Sequence, residues 1–447
     1  MLELEKKSSK NLSPVQILAL GFGIVILIGA LLLMLPIASK DGTVTPFIDA
    51  FFTSTSAVCV TGLVTLNTAE HWTYFGTTVI IFLIQIGGLG FMSFATLFAL
   101  ILGKRITLKE RLIMQEAMNT FSLQGLVKLA KYILIFTFAI EGAGALFLST
   151  QFIPDYGIGK GIYFSIFHSI SAFCNAGFDL TGNSLVPYAE NSVVILTISA
   201  LLIIGGLGFA VWAEIYNYNG TKKISLHSKL VIGMTILLIL VGWIFMFLFE
   251  MNNPKTIENM SMKGKLLSAF FASVTPRTAG FNSIVTSDMT LAGIFLTIVL
   301  MFIGGSPGGT AGGIKTTTAG ILFMTIISVM KNKEDTEIFD RTISKGLVYK
   351  AFAISTIAIA LIIIETMILS FTELGASLEY IIYEVTSAFG TVGLSLGLTP
   401  NLSLVGKVFI ALTMYIGRVG VLTLLLALSN KKNGNTIKYP EGKILVG

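Results

Sequence analysis

The chain has 447 residues, 54% hydrophobic and only 12% charged, with a formal charge of +6. Soluble globular chains carry about twice that charged fraction, so the composition excludes an ordinary soluble domain and points to a polytopic membrane protein. Two cysteines, Cys59 and Cys174, and three scattered histidines exclude a disulfide framework and a histidine metal site, and basic residues confined to short loops argue against nucleic acid as a partner.

A spanning helix needs about 20 apolar residues. After a cytoplasmic N-terminus (1–14), such runs lie at roughly 15–36, 76–102, 126–150, 193–216, 229–249, 350–370 and 404–429. The stretch 289–330 holds a single charge, Lys315. As one straight helix it would be about 60 Å long, near twice the hydrocarbon thickness. We read it as one span broken by "GGSPGGTAGGIKTT", residues 304–317, which gives eight spans.

Charge supports this count. With the N-terminus in the cytoplasm, 21 Lys/Arg fall inside and five outside, while Arg277, Lys315, Lys407 and Arg418 lie in or at the edge of the membrane. That bias obeys the positive-inside rule and puts both termini in the cytoplasm of a multi-pass plasma-membrane protein. Counting the broken segment as two spans would move the basic loop 331–350 outside.

Between the spans of each successive pair lies a moderately apolar outer stretch: "PFIDAFFTSTSAVCVTGL", "YFSIFHSISAFCNAGF", "LLSAFFASVTPRTAGF" and "YIIYEVTSAFGTVGL". Each has about eleven helix-compatible residues and a Ser/Thr-rich tail, then a Gly followed by Phe or Leu, with Pro46 opening the first. The glycines, Gly62, Gly177, Gly280 and Gly393, recur at spacings of 115, 103 and 113 residues. After them, by 25, 28, 24 and 24 residues, come "IGGLG" (86–90), "IGGLG" (204–208), "IGGSPGG" (303–309) and "IGRVG" (416–420). The expected fold is all-α: four pseudo-symmetric repeats of span, re-entrant pore helix and span, at 15–103, 104–216, 217–330 and 331–430, around one central pore, with a cytoplasmic tail at 431–447.

Non-helical backbone at membrane depth is tolerated only where protein or a filled path satisfies it. Four converging glycine loops would aim main-chain carbonyls at one axis, where they can replace the water shell of a cation. The negative ends of the four short helices would face that ion. The flanking residues, Cys59, Val60 and Thr61, Asn175 and Ala176, Thr278 and Ala279, Thr391 and Val392, are uncharged. That excludes a carboxylate ring for divalent ions and favours potassium, bound by the carbonyls of Gly62, Gly177, Gly280 and Gly393.

At these residues the chain resembles the ion-translocating subunits of the Trk/Ktr/HKT potassium transporter superfamily. "VTGL", "NAGF", "TPRTAGF" and "GTVGL" look like its filter sequences and "GGSPGGTAGGIK" like its intramembrane gating loop. Eight spans look most like the Ktr subtype. The resemblance implies a homodimer with one pore per subunit, and a cytosolic ring of nucleotide-binding regulatory subunits that carries ATP or ADP and often senses sodium. This chain itself would bind no cofactor. Gly62 matches potassium-selective members, whereas Ser there resembles sodium-conducting forms; Cys59 stands where many relatives carry Thr.

A gate is expected below the filter. Arg418 takes the second-glycine place held by Gly88, Gly206 and Gly305, and so lies near the axis, where it either impedes cations or satisfies carbonyls freed by a broken helix. Gly304, Gly305, Ser306, Gly308, Gly309, Thr310, Gly312, Gly313 and Lys315 of the loop form the second barrier. A phosphate loop is excluded, because Ile314 separates Gly313 from Lys315 and no strand precedes. Arg277 is expected to pair with Glu384 behind the filter, while Glu141, Glu214 and Glu365 are packing or functional carboxylates and Cys59 and Cys174 small buried filler or, as the second reading, a redox switch. The basic loops 104–131 and 331–350 and the tail would meet anionic lipid or the cytosolic partner. Two rivals are weaker. A secondary transporter with a midplane site predicts two inverted halves. An intramembrane enzyme needs a nucleophile with its base, which the spans lack.

Overall fold

The computed structural model describes residues 13–90, 107–118, 126–218 and 224–428. They are almost wholly helical, apart from a two-stranded hairpin pairing Thr336–Ile338 with Arg341–Ile343. The same three-part unit occurs four times. Its first helices are Pro14–Leu33, Leu126–Tyr156, Leu226–Glu250 and Lys345–Thr372; its short helices are Phe47–Cys59, Ile158–Phe173, Met262–Val274 and Leu378–Gly390. Its second helices begin at Tyr74, Ser192, Leu291 and Leu404.

The first helices are the only described single helices long and apolar enough to cross a membrane. At 20 to 31 residues they reach about 30 Å or more. Only a third or less of each apolar window is buried, and the large exposed residues, such as Leu27, Leu31, Phe245 and Ile363, are apolar. Such faces suit lipid rather than water. The short helices reverse this pattern: from Asp49 to Cys59 all but one residue is buried, Phe51 being the exception. At 13 to 16 residues they cover about 20 to 24 Å and cannot cross.

Close approach of first and short helices rests on small residues. Gly29, Gly144 and Gly242 face Ser54, Ser169 and Ser273, and a Cβ on any of them would overlap the serine Oγ. Those hydroxyls donate to carbonyls of the first helix, Ser54 to Ile26 at 2.7 Å, Ser169 to Glu141 at 2.6 Å and Ser273 to Ile239 at 2.7 Å. Repeat four departs: Thr413 stands where Leu83, Leu201 and Leu300 stand, and it donates to Glu365. Polar caps join first to second helices. Gln151 accepts from Asn191, Glu250 from Thr290 and Glu373 from Ser403, each donor being the N-cap of its second helix.

Two expectations about the helices change. The runs 193–216 and 404–429 are not continuous. Ser192–Gly206 and Phe209–Tyr216 meet at 97°, and Leu404–Val419 gives way at Gly420 to Val421–Leu428. In repeat one the second helix stops at Leu89, and 91–106, the remainder of the expected span, lies outside the described residues. In three repeats the cause is shared: Gly90, Gly208 and Gly420 have positive φ, between 80° and 94°, which terminates a helix at little steric cost, while in repeat three the helix already ends at Phe302, ahead of the loop. The second helix therefore ends at its Gly-rich centre in every repeat, not in the third alone. Pro46 is the N-cap of its helix rather than a first-turn residue.

Candidate functional site: the glycine ring and the loop beneath it

Each short helix ends in the same backbone device. A residue with positive φ (Val60, Asn175, Thr278 or Thr391) is followed by one without it and then by a glycine with it: Gly62, Gly177, Gly280 or Gly393. Alternating handedness turns successive carbonyls to one side of the chain. Non-glycine residues adopt this region only when the surroundings hold them there, and hydroxyls in the last turns of the helices do so. Ser56 and Ser387 Oγ accept from the N–H groups of Gly62 and Gly393 at 3.0 and 3.1 Å. Ser171 Oγ donates to Phe178 O at 2.8 Å, and Thr275 donates to Phe281 O. The apolar residue after each glycine, Leu63, Phe178, Phe281 or Leu394, is buried and anchors the far side.

These corners meet in a closed cyclic order. A Cβ added to Gly62 would lie 2.5 Å from Ala176 O; on Gly177, 2.8 Å from Ala279 O; on Gly280, 2.7 Å from Val392 O. On Gly393 it would overlap Thr61 O, and Gly62 Cα would be 3.0 Å away. Each glycine thus faces the carbonyl that precedes the glycine of the next repeat. Nothing larger than hydrogen fits, and every φ there is in the left-handed region. The hydroxyls of Thr61 and Thr391 have no protein partner, and the Asn175 amide lies 3.1 Å from Thr278 Oγ1. Cys59 closes its helix and is buried.

Under the ring, the first glycine of each Gly-rich centre permits contact with a short-helix end. A Cβ on Gly87, Gly205 or Gly417 would overlap the carbonyl oxygen of Val58, Phe173 or Phe389. In repeat three the place belongs to Gly304, whose neighbours are Gly312 O and the Thr278 methyl. The loop 303–315 therefore sits directly against the filter-side residues; Gly312 abuts Thr391, and Gly313 abuts Gly390.

The loop fills the break of repeat two. Ser306 N–H donates to Gly206 O at 2.9 Å, Thr310 N–H to Gly205 O at 3.2 Å, and Phe209 N–H to Gly308 O at 3.0 Å. Its own ends are tied by Gly304 N–H to Ile314 O at 2.9 Å and Thr316 N–H to Gly305 O at 3.0 Å. Lys315 Nζ turns back onto Ala311 O at 2.7 Å. Arg418 bridges three repeats: its guanidinium donates to Thr310 O of the loop and to Gly87 O and Gly88 O of repeat one. Both sequence readings of Arg418 meet here, since it satisfies carbonyls freed by a broken helix and holds the loop by the same bonds.

The expected Arg277–Glu384 pair is absent from the ion pairs of the described residues, which are Lys333–Glu337, Lys345–Asp335 and Lys407–Asp49. Glu384 is taken by hydroxyls instead, Ser395 at 2.7 Å and Thr399. Arg277 is buried, with one donor 3.4 Å from Thr235 Oγ1. Glu141 is bound by Gln85 at 3.1 Å and sits 3.9 Å from Cys174 Sγ. Glu214 holds Ser225 and Ser228 at the start of the next helix.

A family model described as "TrkH: Cation transport protein" matches residues 6–439. The chain is 49% identical to the potassium/sodium uptake protein NtpJ of Enterococcus hirae over the whole of both chains. It is 43% identical to the Ktr system potassium uptake protein B of Bacillus subtilis over 97% of each. Among solved structures, the potassium transporter TrkH of Vibrio parahaemolyticus superposes with a TM-score of 0.75 over 95% of this chain and 86% of that one, at 20% identity, a likeness of fold.

Proposed function

We infer, from the premise that this chain belongs to the TrkH family of cation transport proteins, that it takes up potassium across the cell membrane and is not an enzyme. In this reading each repeat spans twice, its second span continuing beyond the glycine break, so that eight spans surround four re-entrant helices and one pore. The carbonyls around Gly62, Gly177, Gly280 and Gly393 strip potassium of its water, while the unpartnered hydroxyls of Thr61 and Thr391 stand ready as further ligands. The helix ends behind them supply negative potential. Uptake needs no covalent chemistry: membrane potential supplies about 2.3 kcal/mol per charge per 100 mV, or roughly 50-fold accumulation.

The loop 303–315 and Arg418 form the gate in this reading. They lie immediately inside the ring, and the same bonds that hold Thr310 O to Arg418 keep the passage closed. Opening exchanges those bonds for others under the control of a regulatory component, which the Ktr-system name of one relative supports. A homodimer, a nucleotide-binding ring with ATP or ADP on that partner, cytoplasmic termini and passage of sodium beside potassium belong to the same proposal.

The closed cyclic order of the four glycines carries the reading. A secondary transporter built of two inverted halves has no reason to place four co-oriented corners in contact. The test is rescue of potassium-limited growth in transporter-deficient cells, repeated with Gly177→Asp and Gly393→Ser. The unaltered chain should rescue, and both variants should fail while still reaching the membrane. Full rescue by both variants would remove the glycine ring from the transport path.

A further inference from the structure

We propose that the cavity beneath the glycine loop binds a phosphate-type oxyanion, supplied by an anionic phospholipid headgroup or by free phosphate. This cavity, of about 280 Å³, lies against the face of residues 308–315 and is walled by parts of all four repeats. Among the described residues its charged lining groups are Lys315, Lys350 and Arg418, and none of them is a carboxylate. None of the three belongs to an ion pair among the described residues. Lys315 spends one donor on Ala311 O and Arg418 three contacts on backbone carbonyls, so both keep N–H groups beyond those bonds.

Two further features favour an anion. The wall includes the N-terminal turn of Thr316–Met330 through Lys315 and Thr318, and a helix N-terminus attracts negative charge. By sequence, the segments outside the described residues are strongly basic, with three acids, Glu3, Glu5 and Glu441, against eleven Lys/Arg. Three basic groups around one chamber, none in an ion pair among the described residues, favour a counter-charge.

Size and surface narrow the ligand class. A volume of about 280 Å³ admits a small oxyanion or a headgroup. The wall also carries Leu18, Phe22, Phe209 and Ile354, which match the glycerol and first methylenes of a lipid. Basic pockets between spans on the cytoplasmic side take anionic headgroups. Lys350 is exposed at the start of its helix, where a headgroup would enter. Occupancy would lower the positive potential facing an ion that leaves the ring. That effect on flux rests on the functional reading above; the binding itself does not.

The experiment uses the purified full-length chain. Lipid retention is compared by native mass spectrometry between phosphatidylglycerol and phosphatidylcholine, and thermal unfolding is followed with inorganic phosphate against chloride at equal ionic strength. Phosphatidylglycerol should be retained several-fold over phosphatidylcholine. Lys350→Gln should lose at least threefold of that preference, and Lys350→Arg should keep it; Lys350 is exposed, so neither change threatens folding. A stabilising shift with inorganic phosphate assigns the site to the free oxyanion, whereas a shift with phosphatidylglycerol alone assigns it to the headgroup. Equal retention of the two lipids without a phosphate shift overturns the proposal, and so does a preference untouched by Lys350→Gln. Growth rescue is scored separately, so failure of transport leaves this result readable.

Discussion

The glycine ring and the layer beneath it are built from the same fourfold repeat, yet they have diverged to different degrees. In the ring, each corner keeps the same order: positive-φ residue, linker, positive-φ glycine and buried apolar anchor. Beneath it, the first glycine of each centre keeps register, Gly87, Gly205, Gly304 and Gly417, but the repeats part company. Repeat one leaves carbonyls for Arg418, repeat two leaves carbonyls for a foreign loop, repeat three becomes that loop, and repeat four supplies the arginine. A site that surrounds a spherical ion gains from equivalent walls. A gate must be held by something that can let go, and two discrete bonding arrangements suffice for that.

The comparison breaks first if the ring tolerates a side chain. Gly393→Ala adds a Cβ that overlaps Thr61 O at a φ of 89°. The left-handed conformation alone costs about 1–2 kcal/mol, and the displaced carbonyl is one that the proposed function assigns to the ion's shell. Potassium uptake in vesicles should fall at least tenfold while the variant still reaches the membrane; near-normal uptake would mean that the corners do not set the path. The asymmetric layer should respond in the opposite direction. Arg418→Gln removes a charge that, at about 5 Å from a passing cation and an effective dielectric of 20, opposes it by roughly 3 kcal/mol. It also releases Thr310 O. Flux should rise several-fold, and an unchanged rate in vesicles would leave Arg418 with the structural task alone.

These two layers were not equally readable from sequence. The ring was, because a glycine before Phe or Leu recurring at spacings of 115, 103 and 113 residues leaves few alternatives. The register of the Gly-rich centres was readable for the same reason. The helix breaks beneath three of them were not, since a hydropathy run looks the same whether or not it bends. The signal was the third glycine, Gly90, Gly208 or Gly420, whose positive φ ends the helix. The hydroxyls of Ser56, Ser171, Thr275 and Ser387 registered only as Ser/Thr-rich composition, although their place in the last turn was the informative part. Arg277 and Glu384 were paired on charge alone, but Ser395 and Thr399 had already satisfied the carboxylate.

A smaller effect sharpens the same contrast within one Gly–Gly pair. A Cβ on Gly205 would overlap Phe173 O, whereas on Gly206 its nearest neighbour is Asn175 Nδ2 at 3.4 Å. Overpacking costs typically 1–3 kcal/mol. Gly205→Ala should therefore lower the unfolding midpoint in detergent by several degrees, and Gly206→Ala by much less. Equal shifts would show that the close approach of short helix and centre is not what selects glycine.

The smallest effect concerns how the outer layer closes on itself. Neighbouring repeats are joined there without an ion pair among the described residues at three seams: Asn67 to Gly182 O at 3.4 Å, Asn282 N–H to Ser184 Oγ at 2.9 Å with Ser261 Oγ to Glu190 at 2.7 Å, and Thr286 to Ser395 O at 2.6 Å. The fourth seam, between the first and last repeats, carries Lys407 and Asp49 at 2.7 Å instead. Both side chains retain some exposure, 16% and 12%, so screening limits the pair to about 1 kcal/mol. Asp49→Asn should lower the midpoint by no more than a few degrees and leave potassium uptake unchanged. In Asp49→Asn with Lys407→Met, part of the loss should return, because neither charge is then left alone. A double mutant that simply adds the two single losses would show that packing of the short helices, rather than this pair, closes the ring.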